Sequence, residues 1–176
     1  MADYPAHLER RGRLADGRSV LIRPIRAGDE RRARRFFDGL SDETKRLRFM
    51  GGDAPNAKLI RFFTRIDYDL HMAFVGEHDG RLVGDARYMA NPGGTSCEFG
   101  IVIADDWRHS GLATLLMDAL VDAARARGFR RIEGLVLRDN PNMLGFVRKA
   151  GFEAEGEPHE PTMVRVVKNL RSTSSV

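Results

Sequence analysis

Residues 95–128 read TSCEFGIVIADDWRHSGLATLLMDALVDAARARG, and the fold turns on how this stretch is divided. Its first part alternates. Cys97, Phe99, Ile101 and Ile103 fall on one side and Glu98, Gly100 and Val102 on the other, which is the period of a strand. From Leu112 to Arg127 the period lengthens. Leu112, Leu115, Leu116, Leu120, Ala123 and Ala124 return on one face of a helix, and Gly128 ends it. The turn between them passes a single glycine, Gly111, at the mouth of the helix. A helix N-terminus carries about +0.5 of a charge and several unpaired N–H groups. Gly111 would let an anion approach those groups without meeting a Cβ, and Arg108 adds a fork of donors. The turn therefore suits a phosphate or pyrophosphate. A connection that binds nothing has the same spacing. Neither a G-x-G-x-x-G fingerprint nor a Gly-Lys-Ser/Thr loop is present.

Working outward, SVLIRPIR (19–26) is a strand that the ADGR turn can pair with RGRL, and Pro24 places it at an edge or ends it nearby. AGDERRARRFFDGL, SDETKRLRFM and NAKLIRFFTRI read as helices, with Ser41 a cap for the second. Phe36, Phe37, Phe62 and Phe63 read as core anchors of these helices. HMAFVGEHDGRLVGDARYMA is a hairpin around the turn His78-Asp79-Gly80. RRIEGLVL is a strand, NPNMLGFVRKA a helix closed by Gly151, and TMVRVVKNL a last strand. Antiparallel strands followed by strand–helix–strand–helix predict an α/β (α+β) fold with a mixed, mostly antiparallel central sheet flanked by helices.

The 176 residues suit one domain over 1–170, with 171–176 a disordered tail. No apolar run is long enough to span a membrane, and the N-terminus lacks a signal core. Cys97 is the only cysteine, so no internal disulfide can form, and a cytoplasmic location is expected. A net charge of +4 attracts anions, but no basic block interleaved with aromatics accompanies it, so no nucleic-acid partner is expected. The five histidines show no metal-ligand spacing, and no metal is expected.

RHSGLA, residues 108–113, resembles the Gln/Arg-x-x-Gly-x-Gly/Ala signature of the GCN5-related N-acetyltransferases (GNAT), in the same strand–turn–helix setting. NPNMLGFVRKAGF is similar to that family's closing segment. IRPIRAGDERRARRFFDGLSDETKRLRF, RIDYD, GRLVGDARY and CEFGIVIADDW resemble a narrower subset, the acetyltransferase domains of bacterial protein-lysine acetyltransferases of the Pat type. The likeness runs from about Arg13 to Leu170, nearly the whole chain. It implies the GNAT fold and acetyl transfer from acetyl-CoA to an amine by direct attack in a ternary complex. The acceptor it implies is a protein lysine, such as one on an acyl-CoA synthetase; a small amine is the alternative. A non-catalytic acyl-CoA sensor or partner-binding domain is a third. No membrane partner is expected, and the chain is expected as a monomer or homodimer.

Carried over residue by residue, the resemblance gives the pyrophosphate to Arg108, His109, Ser110, Gly111, Leu112 and Ala113, mainly through backbone N–H groups. It gives the pantetheine arm to Ile101, Val102 and Ile103. Asn140 matches an asparagine near the cofactor, though capping the helix that begins at Pro141 explains it as well. Glu98 falls where the family places a general base. A lysine ammonium, with a pKa near 10.4, must lose a proton before it can attack a thioester, and a carboxylate within reach can take it. A solvated strand glutamate is the plainer reading. The chain departs from the family at Val147, where many members carry a tyrosine as general acid. Tyr88 is a possible substitute that more readily packs. Cys97 shares no strand face with Glu98 and reads as a core thiol.

Overall fold

The computed structural model describes residues 2–156 and 161–171. The expected tail therefore lies outside the described residues from position 172 onward. The strands are β1 (Arg10–Arg13), β2 (Ser19–Pro24), β3 (His71–His78), β4 (Arg81–Ala90), β5 (Ser96–Ile103), β6 (Arg131–Leu137), β7 (Glu153–Glu155) and β8 (Met163–Asn169). They form one sheet of eight strands in the order β1-β2-β3-β4-β5-β6-β8-β7. Every neighbouring pair is antiparallel except β5 and β6. The helices are α1 (Glu30–Asp38), α2 (Asp42–Arg48), α3 (Ala57–Thr64), α4 (Leu112–Arg127) and α5 (Pro141–Lys149). This is the mixed, mostly antiparallel sheet with flanking helices that the sequence predicts. β7 is the one strand the sequence reading lacks, because three exposed residues carry no readable alternation.

The centre of the sheet is a hairpin. Asp79 and Gly80 take φ of 48° and 74°, the paired positive values of a type I′ turn, whose twist matches that of the flanking strands. α4 lies across one face of β3 and β4, with Leu112, Leu116 and Leu120 fully buried. The contact is close because glycines face the helix. A Cβ on Gly84 would come within 2.7 Å of Leu116 Cδ1, and one on Gly76 within 3.0 Å of Leu112 Cδ1.

The opposite face is covered by α1, α2 and α3. Phe37 packs its ring against Phe63 at 5.7 Å and Phe49 at 5.9 Å. Phe36, Phe37 and Phe63 are core anchors as the sequence predicts, but Phe62 is not; it remains 48% exposed and leans on the His71 ring. Its position, adjacent to Phe63 on a single helical segment, turns it about 100° away from the core. Arg23 and Asp29 on this side pair with each other, as burial favours. Arg23 and Asp29, both wholly buried, form two 2.8 Å hydrogen bonds, and Glu77 accepts from Arg23 Nε at 2.7 Å. β2 ends at Pro24, as expected, although it lies one strand in from the edge. No described helix is long and apolar enough to cross a membrane.

β5 and β6 pair only through Ser96–Arg131, Cys97–Ile132 and Glu98–Glu133. Beyond Glu98, β5 continues along β4 to Ile103 while β6 continues along β8 to Leu137. The two strands part, and the sheet opens into a wedge at their C-terminal ends.

Candidate active site

A cavity of about 920 Å³ occupies this wedge. Its walls are β5 from Glu98 to Ile103, the turn from Trp107 to Gly111, the first turn of α4, Leu135 and Val136 of β6, the start of α5, and α2 from Thr44 onward. Every site residue that the sequence singled out therefore lines one space.

The turn is built to present main-chain donors. Gly111 caps α4 with φ 91°, in the left-handed region that glycine enters without strain, and nothing lies within 4 Å of where its Cβ would stand. His109, exposed, also has a positive φ of 57°. Ser110 Oγ donates to the Trp107 carbonyl at 2.5 Å and accepts the Leu112 amide at 3.3 Å, which takes that amide out of use. The amides of His109, Ser110, Gly111, Ala113 and Thr114 find no acceptor among the described residues. Unpaired donors converging at a helix N-terminus with open space ahead suit a diphosphate.

The Arg108 side chain is turned sideways. Its Nη2 donates to Thr44 Oγ1 and lies 3.4 Å from Asp105 Oδ1. Asp105 also accepts from Thr44 Oγ1 at 2.6 Å and from Ser41 N and Oγ at 3.0 Å. Burial raises the Asp105 pKa, but these bonds and the Arg108 charge outweigh it and hold the carboxyl below its usual range. The cluster fastens α2, capped by Ser41 as predicted, to the turn. Beneath it Trp107 is buried, with Arg18 Cζ 3.7 Å from its ring centroid.

The strand edge is the second element. Ile101, Val102 and Ile103 pair with Ala86, Asp85 and Gly84 on one side and have no strand partner on the other. Main-chain groups along this edge can therefore meet the amides of an extended arm, as an added strand would. Asn140 holds the facing wall. Its Oδ1 accepts the Met143 amide at 3.2 Å and so caps α5 ahead of Pro141, while its Nδ2 has no acceptor among the described residues. Cap and cleft residue are here the same side chain.

Glu98 stands at the root of the wedge, exposed and lining the cavity, and its carboxylate makes no hydrogen bond or ion pair to any described residue. Val147 is fully buried and does not line the cavity, so no protic group stands where the family tyrosine would. Tyr88 is no substitute. It is buried, its hydroxyl donates to the Asp69 carbonyl at 3.2 Å, and it does not line the cleft. Cys97 is buried too, and burial, aided by Glu133, pushes its thiol up to about 12.

Sequence reasoning missed Arg48. Its guanidinium lies over Gly100 on the Glu98 side of β5 and lines the cavity. The available signal was spacing: Arg48 follows the buried Thr44 by four residues, so both share the inward face of α2.

Comparison with known proteins bears on the family. Residues 38–152 match the family model described as the acetyltransferase (GNAT) family. The chain is 38% identical over 156 residues to an acetyltransferase of Pseudomonas aeruginosa, covering 86% of this chain and 84% of that protein. It is 28% identical over 138 residues to the acetyltransferase Pat of Mycolicibacterium smegmatis, covering 77% of this chain but only 41% of Pat. The crystal structure of the GNAT domain of S. lividans PAT superposes with a TM-score of 0.89 at 28% identity, over 95% of this chain and 99% of that domain. The cleft between parted strands, the donor-lined turn and these matches together establish that the chain belongs to the GNAT family of acetyltransferases, enzymes that use acetyl-CoA as acyl donor.

Proposed function

We propose that the chain transfers acetyl from acetyl-CoA to a protein lysine by direct attack in a ternary complex, with Glu98 as general base. The observation that carries this reading is the position of Glu98. An unpaired carboxylate at the root of the wedge lines the same cavity as the free edge Ile101–Ile103, where a base for an amine entering beside a thioester arm would be needed. The free amides of His109, Ser110, Gly111 and Ala113 hold the diphosphate, and Asn140 Nδ2 faces the same ligand. Glu98 takes one proton from the acceptor ammonium, the freed lone pair forms the new C–N bond as the C–S bond breaks, and the second proton left on that nitrogen passes to the departed thiolate or to water. The thiol leaves unassisted, since a thiol is acidic enough (about 8.5 for a model cysteine) to depart as thiolate. Cys97, with its raised pKa and complete burial, takes no part. A cytoplasmic setting belongs to the same reading, because the single cysteine needs no oxidising compartment.

Support for a protein acceptor comes from the likeness to the two Pat proteins. The chain spans less than half of the Mycolicibacterium protein, so an acyl-CoA synthetase as target is part of the proposal. A second reading, a small amine acceptor, is favoured by Arg48, a fixed charge of the kind a small ligand needs. The test is mass spectrometry of a host lysate incubated with the protein and acetyl-CoA. New acetyl-lysines on a few proteins support the first reading; acetylated metabolites alone support the second.

A further inference from the structure

We infer that Arg48 is a specificity-determining residue: it binds a carboxylate that the acceptor carries within a few bonds of its reacting amine. This rests on the reading of the cleft as a site of acetyl transfer with Glu98 as base.

The placement comes first. α2 delivers Arg48 so closely onto β5 that a Cβ on Gly100 would lie 2.5 Å from Nη2 and 2.7 Å from Cζ. The Phe49 ring stands 5.1 Å from Cζ. Glu98 precedes Gly100 by two residues on the same strand face, about 7 Å along the strand. Arg48 and Glu98 thus form a positive and a negative point on one wall of the cavity.

Arg48 also lacks a hydrogen-bond acceptor or counter-ion among the described residues. Its Nε is sealed from solvent and donates to nothing, and no hydrogen bond or ion pair to a described residue engages the guanidinium. The obvious counter-ion is already taken. Arg87, the register partner of Gly100, holds Asp85 through Nε at 2.9 Å and Nη2 at 2.5 Å and fills its remaining fork with the Phe63 carbonyl and His71 Nε2. Two arginines meet here and one carboxylate is engaged. Burial lowers the Arg48 pKa to about 10; Asp85 and Glu98 oppose that fall and Arg87 adds to it. The group therefore remains a cation at neutral pH.

A partly buried guanidinium without an acceptor costs free energy that a ligand would offset. Its planar fork matches the two oxygens of a carboxylate. A dianion would be repelled by Glu98, whereas an acceptor with an amine at Glu98 and one carboxylate at Arg48 complements both charges. That carboxylate has two sources: the α-carboxylate of a free amino acid, or an acidic side chain beside a lysine in a protein.

The test compares matched acids and amides. Free L-amino acids are set against their α-carboxamides, and acetyl-Glu-Lys-Glu-amide against acetyl-Gln-Lys-Gln-amide. Turnover is followed by thiol release from acetyl-CoA, and binding by calorimetry with the coenzyme A-loaded protein. The expected result is a kcat/KM preference of about 10- to 100-fold for the acid in one arm, the scale of a charge-assisted bond. That arm identifies the source. Arg48→Gln should bring the ratio near one with acetyl-CoA affinity unchanged, and Arg48→Lys should restore part of it. The proposal falls if the wild type ignores the carboxylate, a comparison that needs no variant. It also falls if the preference survives in Arg48→Gln, or if that variant weakens coenzyme A binding as much as acceptor binding. If no amine is acetylated yet acids bind in an Arg48-dependent way, the transfer reading fails and the carboxylate site stands.

Discussion

The ring of Phe99 occupies the space that a Cβ on Gly134 would need: that Cβ would stand 2.5 Å from Phe99 Cε1 and 2.8 Å from Cζ. Phe99 and Gly134 directly follow Glu98 and Glu133, the last paired residues of the β5–β6 ladder. The aromatic ring sits at the point where the strands part, backed by Phe152 at a centroid distance of 5.1 Å. A side chain at position 134 would force the Phe99 ring to shift.

Gly134→Ala should therefore overpack the root of the cleft. The backbone of a strand paired to β8 cannot yield far, so a loss of about 1–3 kcal/mol is expected. For a chain of this size that corresponds to a fall in Tm of roughly 2–12 °C. Thermal denaturation with and without acetyl-CoA measures it. An unchanged Tm would show that the ring moves aside freely.

Glu98→Gln keeps the shape of the side chain and removes its basicity. The expected outcome is a loss of about 10²- to 10⁴-fold in kcat, the usual worth of a positioned base, with acetyl-CoA affinity within twofold of wild type. Stopped assays paired with calorimetry separate the two effects. A variant that turns over normally would exclude Glu98 from proton transfer.

Gly111→Ala forces a Cβ into the left-handed region at φ 91°, at a cost of about 1–2 kcal/mol. The open space at that position removes any clash with the protein as the cause. Acetyl-CoA binding should weaken by roughly 10-fold as the cradle relaxes to other torsions. Calorimetric titration reads this, and unaltered affinity would argue that the amides are not the diphosphate seat.

His71 gives the protein an acid-sensitive stability. Burial, together with the Arg87 charge, lowers its pKa to about 4 from the ordinary histidine value near 6.5, with Asp85 and Asp67 opposing. Between those values the unfolded chain binds a proton that the native state refuses, so stability rises with pH across the window. It is complete above about pH 6.5 and lost as pH falls toward 4, by about 3 kcal/mol in all. Denaturant unfolding from pH 4 to 7 should show the slope in wild type and its loss in His71→Gln. A variant with the same slope would assign it elsewhere.

The hairpin at Asp79-Gly80, the helix between Gly111 and Gly128 and the alternation around Glu98 were all legible in the chain itself. Each is set by steric preferences and periodicity within a few residues. The turn at Arg108–Ala113 could be read as an anion seat for the same reason, because helix ends expose their donors wherever they occur.

Tertiary structure alone decided the rest. Where β5 parts from β6, Phe99 meets Gly134 across 35 residues of chain, and no local pattern encodes that meeting. The sideways turn of Arg108 depends on Thr44 and Asp105, and the absence of a counter-ion for Arg48 among the described residues on Arg87 having taken Asp85. Periodicity states which face a side chain occupies. Which charges remain unpaired on that face is settled only when distant segments compete for the same partners in a space from which water is largely withdrawn.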